Sequence, residues 1–224
     1  FLMIKKMMNK DSRILVTGAG TMEGIVLLEV LKKYDYKNVS SVTASQNLSQ
    51  YFKPEPPEFV FLLGDSSGGI KANIEKPATL MTDNLLRILE AVSLSLEFGV
   101  KKLIFLASSC VYPKHLEDPM TPQMLMTGPL ETTNSAYAMA KLAGIELIQS
   151  TRKEYNKNFI SCISANCFGP YDDFISEDSH VVSSLIRRMH LAKLKKLDSV
   201  SVWGSGNPVR DFLYVEDLVE GLIY

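Results

Sequence analysis

The chain has 224 residues, with 24 Lys and Arg against 25 Asp and Glu, so its formal net charge of −1 gives no general attraction for nucleic acid or membrane surfaces. Hydrophobic residues make up 46%, enough for a sizeable core in one or two domains, and no apolar run reaches the roughly 18 residues that span a bilayer. Three cysteines, an odd number, argue against a disulfide framework and for a reducing, cytoplasmic compartment.

Residues 1–12 are lysine-interrupted and too short for a secretory signal, and read as a leader or an expression remnant. Arg13 to Thr17 predicts a first strand, and the turn Gly18-Ala-Gly-Thr-Met-Glu-Gly24 leads into a helix reaching about Tyr34. Val39 to Thr43 and Glu58 to Leu63 predict further strands, and Pro77 to Phe98 a long helix with Asn84 inside it. An apolar strand from Leu103 to Ala107, a helix from Ser135 to Tyr155 and a strand from Phe159 to Ala165 follow. Val181 to Lys196 has the pattern of a basic amphipathic helix. Val200 to Trp203 and Asp211 to Val215 read as short strands, and Glu216 begins a helix that looks unfinished at Tyr224.

Strands that alternate with helices predict an α/β fold, a Rossmann-type doubly wound parallel sheet with helices on both faces. Residues 13–170 would form the dinucleotide-binding domain and residues 171–224 a smaller, incomplete substrate-binding part with elements that return to the first.

The most informative chemistry is the pairing of Ser108-Ser109-Cys110 with Tyr137 and Lys141, followed by Ser179-His180. Tyr137 and Lys141 lie four apart in a helical stretch and project from one face. A phenol of pKa about 10 is a poor catalyst near neutrality, but an adjacent ammonium favours the phenolate and brings proton transfer towards pH 7. Ser108 ends the predicted buried strand, where a hydroxyl can hold a substrate oxygen. Cys162 and Cys167 read as small core hydrophobes, and His115 and His190 as surface or packing residues.

Gly18, Gly20 and Gly24 make the case for a phosphate-binding turn, in which backbone N–H groups and a helix N-terminus face a pyrophosphate. The spacing is irregular, because Thr21 stands where a central glycine is expected and Met22 follows it. No acidic residue for the ribose hydroxyl, and no arginine for a 2′-phosphate, is evident near Ser40-Ser41-Val42, so these residues leave NAD and NADP open.

Together the residues resemble the extended short-chain dehydrogenase/reductases, and more closely the GDP-L-fucose synthases, which are GDP-4-keto-6-deoxy-mannose epimerase/reductases. The likeness runs through Gly68-Gly-Ile-Lys-Ala-Asn73, Asp83-Asn84-Leu85, Ser108-Ser-Cys-Val-Tyr-Pro113, Leu130-Glu131, Tyr137 with Lys141, Asn166 with Gly169-Pro170, Asp172-Asp173-Phe174, Ser179-His180-Val181, Arg187-Arg188, Val202-Trp-Gly-Ser-Gly206 and Arg210-Asp-Phe212. It implies a site that epimerises C3 and C5 of a 4-keto sugar and then reduces C4 with NADPH. Cys110 would be the base and His180 the acid. Ser108 and Tyr137 would hold the enolate oxygen, Tyr137 would protonate O4, and Lys141 would hold the cofactor ribose. Asn166 and His180 would lie along the cofactor, while Arg188, Trp203 and Arg210 would bind the nucleotide-sugar. The resemblance also implies a homodimer built on the Pro77 and Tyr137 helices, with no metal, and family members longer at the C-terminus. Thr21, Gly64-Asp65-Ser66, a short stretch after the second strand and Asn166-Cys-Phe-Gly-Pro depart from the family pattern. Another NAD(P)-dependent nucleotide-sugar enzyme, one acting on a related GDP-sugar such as a 6-deoxy-heptose, or a silent dinucleotide-binding regulator are the alternatives.

Overall fold

The computed structural model describes residues 8–44, 46–64, 66, 70–116, 119–176, 179–202, 204–207 and 209–224. Most of the proposed leader, Asp65, Gly68-Gly69 and Trp203 lie outside the described residues.

Five strands, β1 (Arg13–Thr17), β2 (Asn38–Val42), β3 (Phe59–Leu62), β4 (Lys102–Ser108) and β5 (Asn158–Ser164), form one sheet in the order β2-β1-β3-β4-β5. Every pairing in it is parallel. Parallel neighbours need crossovers, which the helices α1 (Met22–Lys33), α2 (Ile70–Glu75), α3 (Pro77–Glu97) and α4 (Ser135–Tyr155) help supply. The expected doubly wound fold is present.

The alternation of side chains along each strand divides the core in two. Leu15, Val60, Leu62, Leu103 and Phe105 meet Ile88 and Ala91 of α3 and Leu142, Ile145 and Ile148 of α4. Their neighbours Ile14, Val16, Phe59, Phe61 and Ile104 point the other way, onto Val26, Leu27 and Leu31 of α1. Strands covered on both faces read as unbroken apolar runs, which is why β3 (FVFL) and β4 (KLIFLAS) are recognisable as sequence.

Beyond β5 the chain makes β6 (Asn166–Phe168), α5 (Val181–Leu194), β7 (Phe212–Tyr214) and α6 (Val215–Ile223). β6 and β7 pair in parallel as a separate two-stranded sheet, and α6 packs back on α1.

One expectation is corrected, and two elements were not anticipated. The strand expected from Phe159 is present as β5, but the chain breaks at Ala165 and continues as β6, an unforeseen strand that belongs to the other sheet. Residues 200–202 are not a strand: they are largely exposed, and the Ser201 carbonyl accepts from the Arg188 side chain rather than from a neighbouring strand. The six-residue helix α2 was not anticipated, since it is too short to show periodicity and only Lys76 separates it from Pro77 at the start of α3.

Candidate functional site

The strand order reverses between β1 and β3, and ligands of open parallel sheets bind beyond the carboxyl ends of the strands at such a point. Two glycines occupy it. Gly18 (φ +68°) follows β1 and Gly64 (φ +71°) follows β3. A Cβ on Gly18 would lie 2.5 Å from the Gly64 Cα, and a Cβ on Gly64 would lie 2.3 Å from the Gly18 Cα. The two backbones therefore touch, and both need glycine for φ and for space. Gly24 closes the same knot, since its Cβ would be 2.0 Å from the Gly18 carbonyl oxygen.

Gly20 differs from these three: the nearest atom to an added Cβ is Thr43 Cγ2 at 4.0 Å, so its bare backbone faces room. Thr21 has a local purpose that its place in a glycine pattern concealed. It caps α1, with its hydroxyl accepting from the Gly24 amide at 3.2 Å and donating to the Gly18 carbonyl at 3.0 Å. The cap consumes the Gly24 donor, but among the described hydrogen bonds the amide of Met22, at the first position of α1, is left for an anion. An open Gly20 beside a helix N-terminus fits a dinucleotide pyrophosphate, and Gly64 joins the turn as a residue whose role only the fold reveals.

Ser108 is the last residue of β4, and a 3-10 turn, Ser109–Val111, carries Cys110 directly after it. α4, which carries Tyr137 and Lys141, packs on β4 and on this turn, and Lys141 reaches the Leu106 carbonyl of β4 two residues before Ser108. The close approach depends on Gly144, where a Cβ would come within 2.9 Å of Phe105 and 3.0 Å of Ile88.

Lys141 is 3% exposed, an unusual position for an ammonium. Its Nζ donates to the Leu106 carbonyl at 3.2 Å and lies 5.0 Å from the Phe105 ring centre and 5.7 Å from that of Tyr137. The carbonyl and the two π-faces offset the loss of water, and the cation is held against the phenol's ring.

His180 caps the start of α5, and its exposed imidazole has Nδ1 3.5 Å from Asp172 Oδ1. Asp172 is nearly buried (6% exposed side chain), and its Oδ2 has no hydrogen-bond partner among the described residues. The preceding Tyr171 donates to Glu29 of α1 at 2.7 Å, which ties this segment to the dinucleotide side of the fold. In the sequence Asp172 stands out only as part of a motif, and its place beside His180 emerges from the fold.

Asn166 begins β6, and both its amide and its Nδ2 donate to the Asp211 carbonyl, at 3.2 and 3.1 Å. Arg188 donates to the Ser201 carbonyl and lines an open groove of about 240 Å³ with Leu191, Lys195 and Val200. Arg210 is exposed and bonds the adjacent Val209 carbonyl at 2.8 Å. No described contact joins Arg188 or Arg210 to Ser108 or Tyr137. His115 and His190 are exposed. Cys162 and Cys167 pack at the edge of the α1 core, and burial pushes both thiols up, Cys167 to about 11. Among the described residues no group of three or more His, Cys, Asp or Glu is placed to hold a metal ion.

A parallel sheet whose switch point carries a glycine knot, a capped helix N-terminus and a neighbouring Ser, Tyr and Lys defines the class of Rossmann-type, dinucleotide-dependent enzymes. The chain belongs to the NAD dependent epimerase/dehydratase family, whose model matches residues 14–224. A GDP-L-fucose synthase of Sinorhizobium fredii is 41% identical over 218 residues, covering 95% of this chain and 69% of that protein. Two solved structures share the architecture. A Naegleria fowleri GDP-L-fucose synthetase bound to NADP superposes with a TM-score of 0.85 at 30% identity, over 96% of this chain and 73% of the other. A Campylobacter jejuni GDP-mannoheptose C4 reductase with NADP bound gives 0.88 at 28%, over 97% and 75%.

Proposed function

We propose that this chain converts GDP-4-keto-6-deoxy-D-mannose to GDP-L-fucose by 3,5-epimerisation followed by NADPH-dependent 4-reduction. The observation that supports the reading is the packing of α4, the helix of Tyr137 and Lys141, against β4 and its following turn, the elements of Ser108 and Cys110. The 41% identity to a GDP-L-fucose synthase along 95% of the chain supports the choice of substrate.

A 4-keto group acidifies the hydrogens at C3 and C5, so inverting either centre needs a base on one face and an acid on the other. Cys110 is the base in this reading. Cys167 is unsuited to proton abstraction, because a thiol of pKa about 11 is ionised to roughly one part in 10⁴ at pH 7. His180 is the acid, with the Asp172 carboxylate oxygen 3.5 Å from its Nδ1 to orient the ring. Ser108 and Tyr137 hydrogen-bond the enolate oxygen, and Tyr137 then protonates O4. Lys141 compensates charge as the phenol gives up its proton. NADPH supplies the hydride to C4. Gly20, Met22 and the turn around Thr21 would face its pyrophosphate, with Lys141, Asn166 and His180 along the rest, while Arg188, Trp203 and Arg210 would meet the GDP-sugar.

A cytoplasmic setting agrees with three cysteines of which none is in a disulfide. Leu86 and Leu89 on α3 and Met139 on α4, at 61%, 48% and 47% exposure, support a homodimer packed through these helices. Residues 171–224 are assigned to the substrate-binding half.

The test is to incubate the full-length protein with GDP-4-keto-6-deoxy-mannose and NADPH in deuterated water. Deuterium at C3 and C5, NADPH oxidation and GDP-fucose are expected. Cys110→Ser should cut deuterium uptake by about 10² or more while leaving NADPH affinity unchanged. Reduction without deuterium uptake would identify a plain 4-reductase. The TM-score of 0.88 to a GDP-mannoheptose C4 reductase favours that outcome as the second reading, with a 4-keto-heptose as the substrate to try.

A further inference from the structure

In dinucleotide-binding sheets the adenine ribose lies between the glycine turn and the end of the second strand, where an acid binds the 2′-hydroxyl of NAD or an arginine accommodates the 2′-phosphate of NADP. Here that corner is built by Gly20 and by Thr43, the first residue after β2, with the Ala19 amide donating to the Val42 carbonyl at 3.1 Å. The described positions 43, 44, 46 and 47 are Thr, Ala, Gln and Asn, with no carboxylate among them. The loop is closed on itself, because Gln46 Oε1 accepts from the Thr43 amide at 2.9 Å and from its hydroxyl at 3.2 Å.

The cation that sequence did not reveal near β2 arrives from α3. Arg87 donates from Nη2 to the Thr43 carbonyl at 2.6 Å and from Nη1 to the Gln46 carbonyl at 3.3 Å. Its side chain is only 14% exposed, and its one described ion pair, with Glu90, is long at 3.8 Å. Backbone carbonyls orient a guanidinium without neutralising it, and the fork keeps N–H donors beyond the two used here. We propose that Arg87 is the residue that selects the 2′-phosphate of NADP over the 2′-hydroxyl of NAD.

The inference rests on NADP as the cofactor, and its test separates the two claims. Calorimetric titration of the full-length protein would compare adenosine 2′,5′-bisphosphate with 5′-AMP, which lacks only the 2′-phosphate. Wild type should bind the bisphosphate at least about tenfold more tightly, in keeping with a charged hydrogen bond, and the preference should shrink as salt rises. Arg87→Gln should remove most of that preference with 5′-AMP affinity held within about twofold, and Arg87→Lys should restore part of it. Glu90→Gln leaves Arg87 in place and removes its countercharge, so it should strengthen bisphosphate binding alone. It also serves if the Arg87 variants fold poorly.

Equal losses for both nucleotides in Arg87→Gln would mean that Arg87 only clasps the loop and would overturn the proposal. An intact preference in that variant would overturn it too, with NADP still standing as cofactor. A wild-type protein with no preference for the bisphosphate would overturn both claims.

Discussion

Gly18 and Gly64 are two positions at which a single methyl group has large consequences. Each has φ near +70° and lies where the other's backbone would be struck. Gly64→Ala must accept a left-handed conformation, at about 1–2 kcal/mol, and push β3 and β1 apart at their carboxyl ends, at about 1–3 kcal/mol more. We expect thermal unfolding to show a loss of about 2–5 kcal/mol, with NADPH affinity falling further because the turn itself is displaced. A variant as stable as wild type would mean that the knot relaxes without cost. Gly18 was legible from its place in a glycine pattern, whereas Gly64 was visible only as a departure from one. Its reason is a contact across 46 residues of sequence, and nothing local encodes it. Thr21 shows the converse: the sequence marked an irregularity, and the hydrogen bonds to Gly18 and Gly24 make it a helix cap. Arg87 and Asp172 escaped for the same reason as Gly64, since each acts on a partner brought near by folding.

At the scale of elements, α4 carries the catalytic reading, and its register on β4 decides whether Tyr137 and Lys141 face Ser108. Gly144, two turns after Tyr137, sets how closely the helix approaches Phe105 and Ile88. Gly144→Val should cost about 2–3 kcal/mol, because overpacking outweighs the gain from removing a helical glycine. It should also lower kcat more than it raises KM for the sugar, since the helix carrying the proton donor moves outward. Calorimetry and steady-state kinetics on one preparation would test both, and stability loss with unchanged kcat would show that α4 yields elsewhere. The period of this helix and the buried runs of β1, β3 and β4 were readable because burial on one or both faces imposes a regular pattern. β6, α2 and the stretch at 200–202 were not. The first two are three and six residues long, too short for a period, and the third depends on whether an edge is there to pair with.

For the whole molecule, the question is whether residues 171–224 fold with the sheet or beside it. The sequence suggested a boundary near residue 170 with elements beyond it that return to the first part; β7 pairs with β6 across it, and Val215, Leu218, Val219 and Leu222 of α6 are buried against the α1 side of the core. Tyr34, just past α1, adds a polar tie by donating to the Glu220 carboxylate at 2.5 and 2.6 Å. That hydrogen bond raises the phenol's pKa, so its contribution is complete below the ordinary tyrosine value of about 10 and is lost as pH rises through the elevated one. These contacts couple the ends of the chain into one cooperative unit. Differential scanning calorimetry should therefore give a single transition whose calorimetric and van't Hoff enthalpies agree. Val219→Asp, which places an unpaired charge at a fully buried position, should lower that transition as a whole by several kcal/mol and not split it. A second transition at lower temperature, with the glycine knot still binding NADPH above it, would mean that the C-terminal part unfolds independently and that the boundary near residue 170 is a real division of the fold.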